Sequence, residues 1–294
     1  MTSQSLAWTL LVAATLVAGA AAADTAPKAE RFVVEIAGAR VEADAVTASD
    51  HLGERDPLAG APSAREPGTI ALRGGALMAR DAARLLVEAF TKDCARRVDG
   101  GVAFADKDYG ELSRLTFSWG VVTEVSLPAL DATSKDPAAL GITIQPQFPK
   151  RIVQHGEKLA RPASGPAWLR SSFKLSIDGL DGALTSVRQI GEVRVAQTPS
   201  ASAPVQCKAA TVTDLTFAIP ATDAGGLAAW KDGAARSGTL EYLAADGAPA
   251  LRLRLSGLKK KAQVASGALT KVTASIDAVA FEHAGAKAPA PAKK

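Results

Sequence analysis

The chain of 294 residues has 47% hydrophobic residues and a formal net charge of +4, so it can bury the cores of about two domains. The last ten residues hold three lysines and no acidic residue, which leaves the rest of the chain near neutrality. No dense Lys/Arg stripe with interleaved aromatic residues remains, and the composition therefore excludes a nucleic-acid-binding face.

Residues 1–23 contain no charged side chain and have the layout of a secretory signal peptide. An apolar run, Leu6–Val17, precedes small residues at Ala21 and Ala23 that suit cleavage before Asp24. The segment before Leu6 lacks Lys and Arg, so an uncleaved anchor is the alternative. We expect an exported protein, periplasmic or extracellular, or one anchored in the membrane by its leader.

The first half of the chain predicts strands around one helix. Alternating residues predict strands at Arg31–Ile36 and 69–74, separated by the polar loop 49–68. An apolar stripe predicts a helix at about 79–92. Residues 101–120 predict a hairpin whose returning strand points Leu115, Phe117 and Trp119 to one face, and Leu140–Phe148 predicts the last strand.

The same order recurs after residues 149–168, which are rich in proline and glycine and which we interpret as a linker. The second half predicts, in order, a strand at 173–178, a long loop at 197–206, a strand at 214–220, a short helix at 222–232, a hairpin at 238–257 and a final strand at 270–283. The recurrence indicates a tandem duplication of one β-rich module.

Three glycines of the first hairpin align with three glycines of the second at a constant offset of 137: Gly101, Gly110 and Gly120 with Gly238, Gly247 and Gly257. That offset would turn the apolar face of the second hairpin outward. Aligning the apolar set with Leu251, Leu253 and Leu255 restores the face, and a one-residue bulge would reconcile the two alignments.

The predicted fold class is mainly β with one short helix per module, as two tandem small antiparallel β-barrels or sandwiches. The predicted divisions are a signal peptide at 1–23, a first module at 24–148, the linker at 149–168, a second and degenerate module at 169–284, and a basic Pro/Ala tail at 285–294 that we expect to be disordered.

The order of elements, together with the segment Trp119–Ser134, resembles the tail-tube family of contractile phage tails and the haemolysin-coregulated tube protein of type VI secretion. Residues 31–148 carry the pattern well. Residues 172–284 carry it in degraded form, because the hairpin strand lacks the Trp and KKKAQVASGALTK replaces the loop patterned like PALDATSKD.

This resemblance implies small barrels that associate side by side into rings. Two fused modules look like the hub proteins of such tails, where three chains make a pseudo-sixfold ring. Tube proteins assemble in the cytoplasm, so either this chain is an exported relative with another use or residues 1–23 are not a signal.

No pattern in the sequence indicates catalysis or metal binding. The three histidines, His51, His155 and His283, lie far apart without metal-ligand spacing, and the chain has no nucleophile elbow, phosphate loop or dinucleotide fingerprint. The acidic pairs Asp106/Asp108 and Asp178/Asp181 lie in turn-like contexts, where carboxylates cap backbone groups. We therefore expect a protein without enzymatic activity, catalytic residue, cofactor or metal.

The two cysteines, Cys94 and Cys207, lie one in each half. In an oxidising compartment they could form a disulfide that joins the halves; two separate buried thiols are the alternative.

The leading hypothesis is an exported structural or assembly protein that self-associates as a trimer or ring, with other envelope or tail-like components as further partners. Under this hypothesis we expect no nucleic-acid partner and no membrane span beyond an uncleaved leader. The alternative is a periplasmic or cell-surface β-rich module that binds a ligand through loops 49–68 and 197–206. The basic run Lys259–Lys261 is typical of a solvated loop or an edge-strand guard.

Overall fold

The computed structural model describes residues 29–36, 38–49, 68–75, 97–153, 157–162, 168–200, 207–244 and 247–283. Several predicted features lie outside these residues: the leader 1–23, the helix 79–92, most of the loop 49–68, residues 201–206 of the second loop, the tail 285–294, Cys94, His51 and His155.

The described residues form a mainly β protein with only short helical segments, which confirms the predicted fold class. The first half contributes strands β1 (Arg31–Ile36), β2 (Ala39–Ala43), β3 (Ala45–Ala48), β4 (Ile70–Gly74), β5 (Val98–Ala105), β6 (Glu111–Leu127), β7 (Leu130–Asp131), β8 (Leu140–Gln145) and β9 (Phe148–Val153).

The second half contributes β10 (Phe173–Ile177), one α-helical turn α1 (Asp181–Leu184), β11 (Gln189–Ile190), β12 (Val193–Ala196), β13 (Thr211–Val212), β14 (Leu215–Pro220), a 3-10 helix (Ala221–Ala229), β15 (Ala235–Leu243), β16 (Pro249–Ser266), β17 (Leu269–Ser275) and β18 (Ala278–His283). The predicted short helix is this 3-10 helix, and the single strand predicted at 270–283 is the pair β17 and β18.

The first sheet follows the order β2-β1-β5-β6-β8-β4-β3. Its two end strands, β2 and β3, are separated in the chain by Asp44 alone, so the sheet must curl until its ends meet. The backbone N–H of Asp44 donates to the carbonyl of Arg73 (2.8 Å) and the Asp44 carboxylate accepts from the N–H of Gly75 (3.0 Å), which holds this corner. The result is a nearly closed barrel.

The first residues of the predicted linker, 149–153, belong to strand β9. Strand β9 pairs with β6, with Leu115 opposite Arg151, and Lys158 bridges to Gly110 while Leu159 is buried. In the second half, β18 pairs with β16 in the matching place, with Leu253 opposite Phe281. The sequence does not reveal β9 because PKRIV has no clear alternation of apolar residues, and its pairing with β6 decides the conformation.

The hairpins of the two halves have the same register. Val102 pairs with Leu115 in β5–β6, and Leu240 pairs with Leu253 in β15–β16, so both partners differ by 138 positions. The register shifts at the two ends of each hairpin also differ by 138. Each turn contains the same two backbone hydrogen bonds at matching residues. The hairpins therefore correspond residue for residue.

This correspondence corrects both alignments drawn from the sequence. Gly238 matches Gly100 and not Gly101, and Leu115 matches Leu253 and not Leu251. A Cβ on Gly100 would lie 2.4 Å from the carbonyl oxygen of Glu35, and one on Gly238 would lie 2.7 Å from that of Ser176. Both glycines thus allow the neighbouring strand to approach closely, which no other residue would permit.

Two aromatic residues stand where the second half has glycines with positive φ. Trp119 (φ 58°) matches Gly257 (φ 66°), and Tyr109 (φ 65°) matches Gly247 (φ 80°). The sequence predicts that Trp119 faces inward with Leu115 and Phe117, and this prediction is wrong. Trp119 lies at the bulge that ends the alternation and is 57% exposed.

The two halves are not independent sheets. Strands β12 and β13 of the second half join the first sheet at β6, and β7 of the first half joins the second sheet, whose order is β10-β15-β16-β17-β14-β11-β7. One contiguous cluster of buried apolar side chains draws on both halves.

Candidate assembly surface

The first junction between the halves is the addition of β12 to the edge of β6. Val193 pairs with Leu127 and Val195 with Val125, and all four side chains are at most 1% exposed. Their burial, at about 25 cal/mol per Å² of apolar surface, adds a hydrophobic contribution to the backbone pairing. The edge of β6 is thus closed by a strand from the other half.

Polar contacts extend this junction. The buried amide of Gln197 donates from Nε2 to the carbonyl of Val122 (2.6 Å), and its backbone N–H donates to the carbonyl of Thr123 (2.8 Å). At the exposed side, Arg194 contacts Glu124 (3.4 Å) and Glu192 (3.1 Å). The hydrogen bond from Arg194 to Glu192 raises the pKa of this guanidinium. The exposed ion pairs add little to stability, so Gln197 is the polar anchor of the junction.

The second junction is made by the segment that follows β6 and contains β7. Leu130 and Asp131 form β7 and pair with Ile190 and Gln189 of β11. The Asp131 carboxylate accepts hydrogen bonds from the hydroxyl (2.6 Å) and N–H (2.8 Å) of Thr133 and from Gln189 Nε2 (3.0 Å). The Thr133 hydroxyl, followed by the other donors, lowers the pKa of Asp131. This segment therefore builds a corner that contacts the other half.

The C-terminal part of β16 has an exposed edge among the described residues. Residues Ala262–Ala265 of β16 pair with β17 on one side, and no described strand pairs with them on the other. All four are exposed, and Val264 is 60% exposed.

An exposed aromatic pair lies on the first sheet. Trp119 and Phe148 meet edge to face with ring centroids 6.2 Å apart, and each is more than half exposed. The N–H of Trp119 donates to the Asp99 carboxylate (2.8 Å), which holds the bulge that projects the indole outward. A non-glycine residue in the left-handed region is strained, and such strain persists where the surroundings impose it.

The basic run Lys259–Lys261 lies on β16 rather than in a loop. Each lysine has an aspartate partner: Lys259 with Asp277 at 2.8 Å, Lys260 with Asp232 at 3.2 Å and Lys261 with Asp214 at 2.9 Å. Their charges are balanced within the second half, so the run does not form a free cationic patch.

The other sequence-predicted residues do not come together. Asp106 caps its turn by accepting from the N–H groups of Asp108 and Gly110 (2.8 Å each), as predicted, and Asp178 lies in the turn after β10. His283 is the last residue of β18. Cys207 is disulfide-bonded. Since Cys94 lies outside the described residues, its pairing with Cys207 stays a prediction.

The described residues show neither a metal-ion cluster nor a membrane-spanning helix. They contain no group of three or more His, Cys, Asp or Glu side chains arranged to hold a metal ion. Within the same residues, no helix has the length and apolar character needed to cross a bilayer.

No protein-family model and no curated protein matches the chain. Among solved structures, the chain is similar to Hcp1 from Flavobacterium johnsoniae, with a TM-score of 0.32 and 18% identity over 44% of this chain and 99% of that one. It is also similar to a chain of the anti-feeding prophage baseplate, with a TM-score of 0.29 and 12% identity over 42% of this chain and 93% of that one. At TM-scores this low, neither likeness bears on function.

Proposed function

We propose that the protein is an exported, non-enzymatic structural component that assembles side by side through the edges of its β-sheets. Three chains, each with two sheets, close a pseudo-sixfold ring. The resemblance of residues 31–148 to the tail-tube family supports this reading, as does the way in which the two halves of one chain are already joined.

The observation that carries the proposal is the exchange of strands between the halves. β12 extends the first sheet at β6, and β7 extends the second sheet at β11. Strand addition is a general mode of protein association, in which main-chain hydrogen bonds supply affinity and alternate side chains supply specificity. A chain that joins its own halves in this way is suited to join other copies by the same contact.

The shared register of the two hairpins supports a tandem duplication. Duplication places two versions of one assembling unit in a single chain, so three chains suffice for six units. The exposed Trp119–Phe148 pair provides a further contact surface on the first sheet, where aromatic side chains bury large areas at small entropic cost.

The predicted disulfide between Cys94 and Cys207 would tie the halves covalently. Titration of thiols in the denatured, unreduced protein checks this pairing. We expect no reactive thiol, and two reactive thiols would rule the pairing out.

Light scattering coupled to size-exclusion chromatography, on residues 24–294, tests the assembly function. We expect a mass of three chains and, by negative-stain electron microscopy, rings. A single-chain mass throughout the micromolar range would contradict the proposal. The alternative function, ligand binding, depends on loops that lie largely outside the described residues. A monomer that gains thermal stability with a ligand would favour that alternative.

A further inference from the structure

The exposed edge of β16 corresponds to the edge of β6 that β12 covers. Glu124 pairs with Thr143 of β8, and Ala262 pairs with Thr273 of β17, each directly after a one-residue register shift. The offset of 138 that relates the hairpins continues here. Residues 124–127 of β6 therefore match Ala262–Ala265 of β16.

The two edges differ in pairing and in burial. In β6, Val125 and Leu127 pair with β12 and are fully buried. Their counterparts in β16, Gln263 and Ala265, are exposed. The same position in the same sheet is thus closed in one half and open in the other.

The open edge has neither the charged side chains nor the proline that normally prevent strand addition. Exposed edges are usually protected by charged side chains, proline or a bulge that turns the edge away. The register shift between Lys260 and Ala262 has its counterpart between Val122 and Glu124 of β6, and β12 pairs with β6 directly after that shift. Residues 262–268 read AQVASGA and contain no charge and no proline. The lysines before them are held by aspartates of the second half, so they do not guard this stretch.

We propose that Ala262–Ala265 is the acceptor edge for a second copy of this chain, whose first half adds a strand there as β12 adds to β6. The inference rests on the proposed assembly function and names its contact. Within one chain, the second half adds the strand β12 to the edge of the first half. For the same contact to recur between chains, the first half of the next chain must add a strand to the edge of the second half.

The order of elements permits such a donor. β12 and β13 lie in the connection between β11 and β14, and the first half has a connection at the same place, residues 49–69 between β3 and β4, of which 50–67 lie outside the described residues. The contact is head-to-tail, because different surfaces meet on the two copies. Contacts of this type close into a ring when the rotation between copies allows it.

Proline variants test the edge. The N–H of Gln197 donates to the carbonyl of Thr123, so the backbone groups of the following alternate residues of β6, Val125 and Leu127, also point toward β12. The backbone groups of their counterparts in β16, Gln263 and Ala265, therefore point outward from the sheet edge. The double substitution Gln263→Pro and Ala265→Pro removes two outward donors and spares the pairing with β17. The matched control, Gln263→Ala with Ala265→Ser, keeps both donors.

We expect the proline variant to elute as a single chain with an unchanged circular dichroism spectrum, and the control to assemble as the wild type does. If the folded proline variant keeps the assembled mass, this inference is wrong while the assembly function stands. If the wild type is itself a monomer at every concentration, the assembly function fails with it.

Amide hydrogen exchange of the wild type decides the case in which the proline variant does not fold. We expect the outward amides of Gln263 and Ala265 to exchange about tenfold or more slowly in the assembled protein than in the diluted single chain. Equal exchange in the two states would overturn the proposal.

Discussion

Trp119 holds a backbone conformation that the second half gives to Gly257. In an ordinary strand, alanine is more stable than glycine by roughly 0.5–1 kcal/mol, but an L-residue in the left-handed region costs about 1–2 kcal/mol. We therefore expect Trp119→Gly to be more stable than Trp119→Ala by about 1 kcal/mol in urea unfolding. At Thr116, an ordinary position of the same strand, the order should be reversed. The same order at both positions would show that the bulge is not strained.

Tyr242 carries a hydroxyl that is buried without a hydrogen-bond partner among the described residues. Leaving such a group unpaired costs about 1–3 kcal/mol, and the matching residue of the first half is Phe104. We expect Tyr242→Phe to raise the free energy of unfolding by about 1 kcal/mol. Tyr109→Phe is the matched control, because the Tyr109 hydroxyl donates to Glu42 at 2.8 Å, and its loss should destabilise the protein.

The same tyrosine makes stability depend on alkaline pH. Burial raises the pKa of Tyr242 above its ordinary value of 10.0. In the unfolded chain this tyrosine ionises near its ordinary pKa, so its stability contribution is complete below that pH and falls as the pH rises above it. We expect the wild type to lose more stability than Tyr242→Phe between about pH 9 and pH 11. Parallel curves from thermal unfolding would contradict this.

At the scale of elements, the β12–β6 junction depends on one buried amide. Gln197→Ala removes the donor to the Val122 carbonyl, and we expect a loss of about 1–2 kcal/mol in urea unfolding. Gln189→Ala is the matched control at the other junction, because its hydrogen bond to Asp131 is exposed and water can replace it. Its cost should stay below about 0.5 kcal/mol. Equal costs would mean that burial does not set the strength of these contacts.

At the scale of the whole molecule, strand exchange couples the two halves. Unfolding either half would remove a strand from the sheet of the other and expose Val125 or Ile190, which are at most 2% exposed. We expect the single chain to unfold in one transition, with the calorimetric enthalpy equal to the van't Hoff enthalpy. Two separate transitions would mean that each half is stable without the strand it receives.

The prediction of strands worked where apolar and polar residues alternate. The pattern of LGITIQ in β8 places Leu140, Ile142 and Ile144 inward, and the structure buries all three. The pattern of FKLSI in β10 similarly marks a strand that lines the core. These strands could be predicted because a period of two is a local property of the backbone.

The candidate surface could not be predicted in the same way. β7 and β11 are two residues long, and the residues of β12 alternate only over VRVA, so none of them shows a pattern that a loop could not. Trp119 continued the alternation of Leu115 and Phe117, but the bulge before Gly120 ended it and turned the indole outward.

The sequence by itself determined the mainly β class, the strong strands and the recurrence of their order, because side-chain alternation and turn residues act over a few neighbours. Only the tertiary structure decided the register offset of 138, the exchange of strands between halves and the edge left open on β16. Those features depend on which edges meet, and edges distant in the chain compete for the same backbone hydrogen bonds whatever their local sequence.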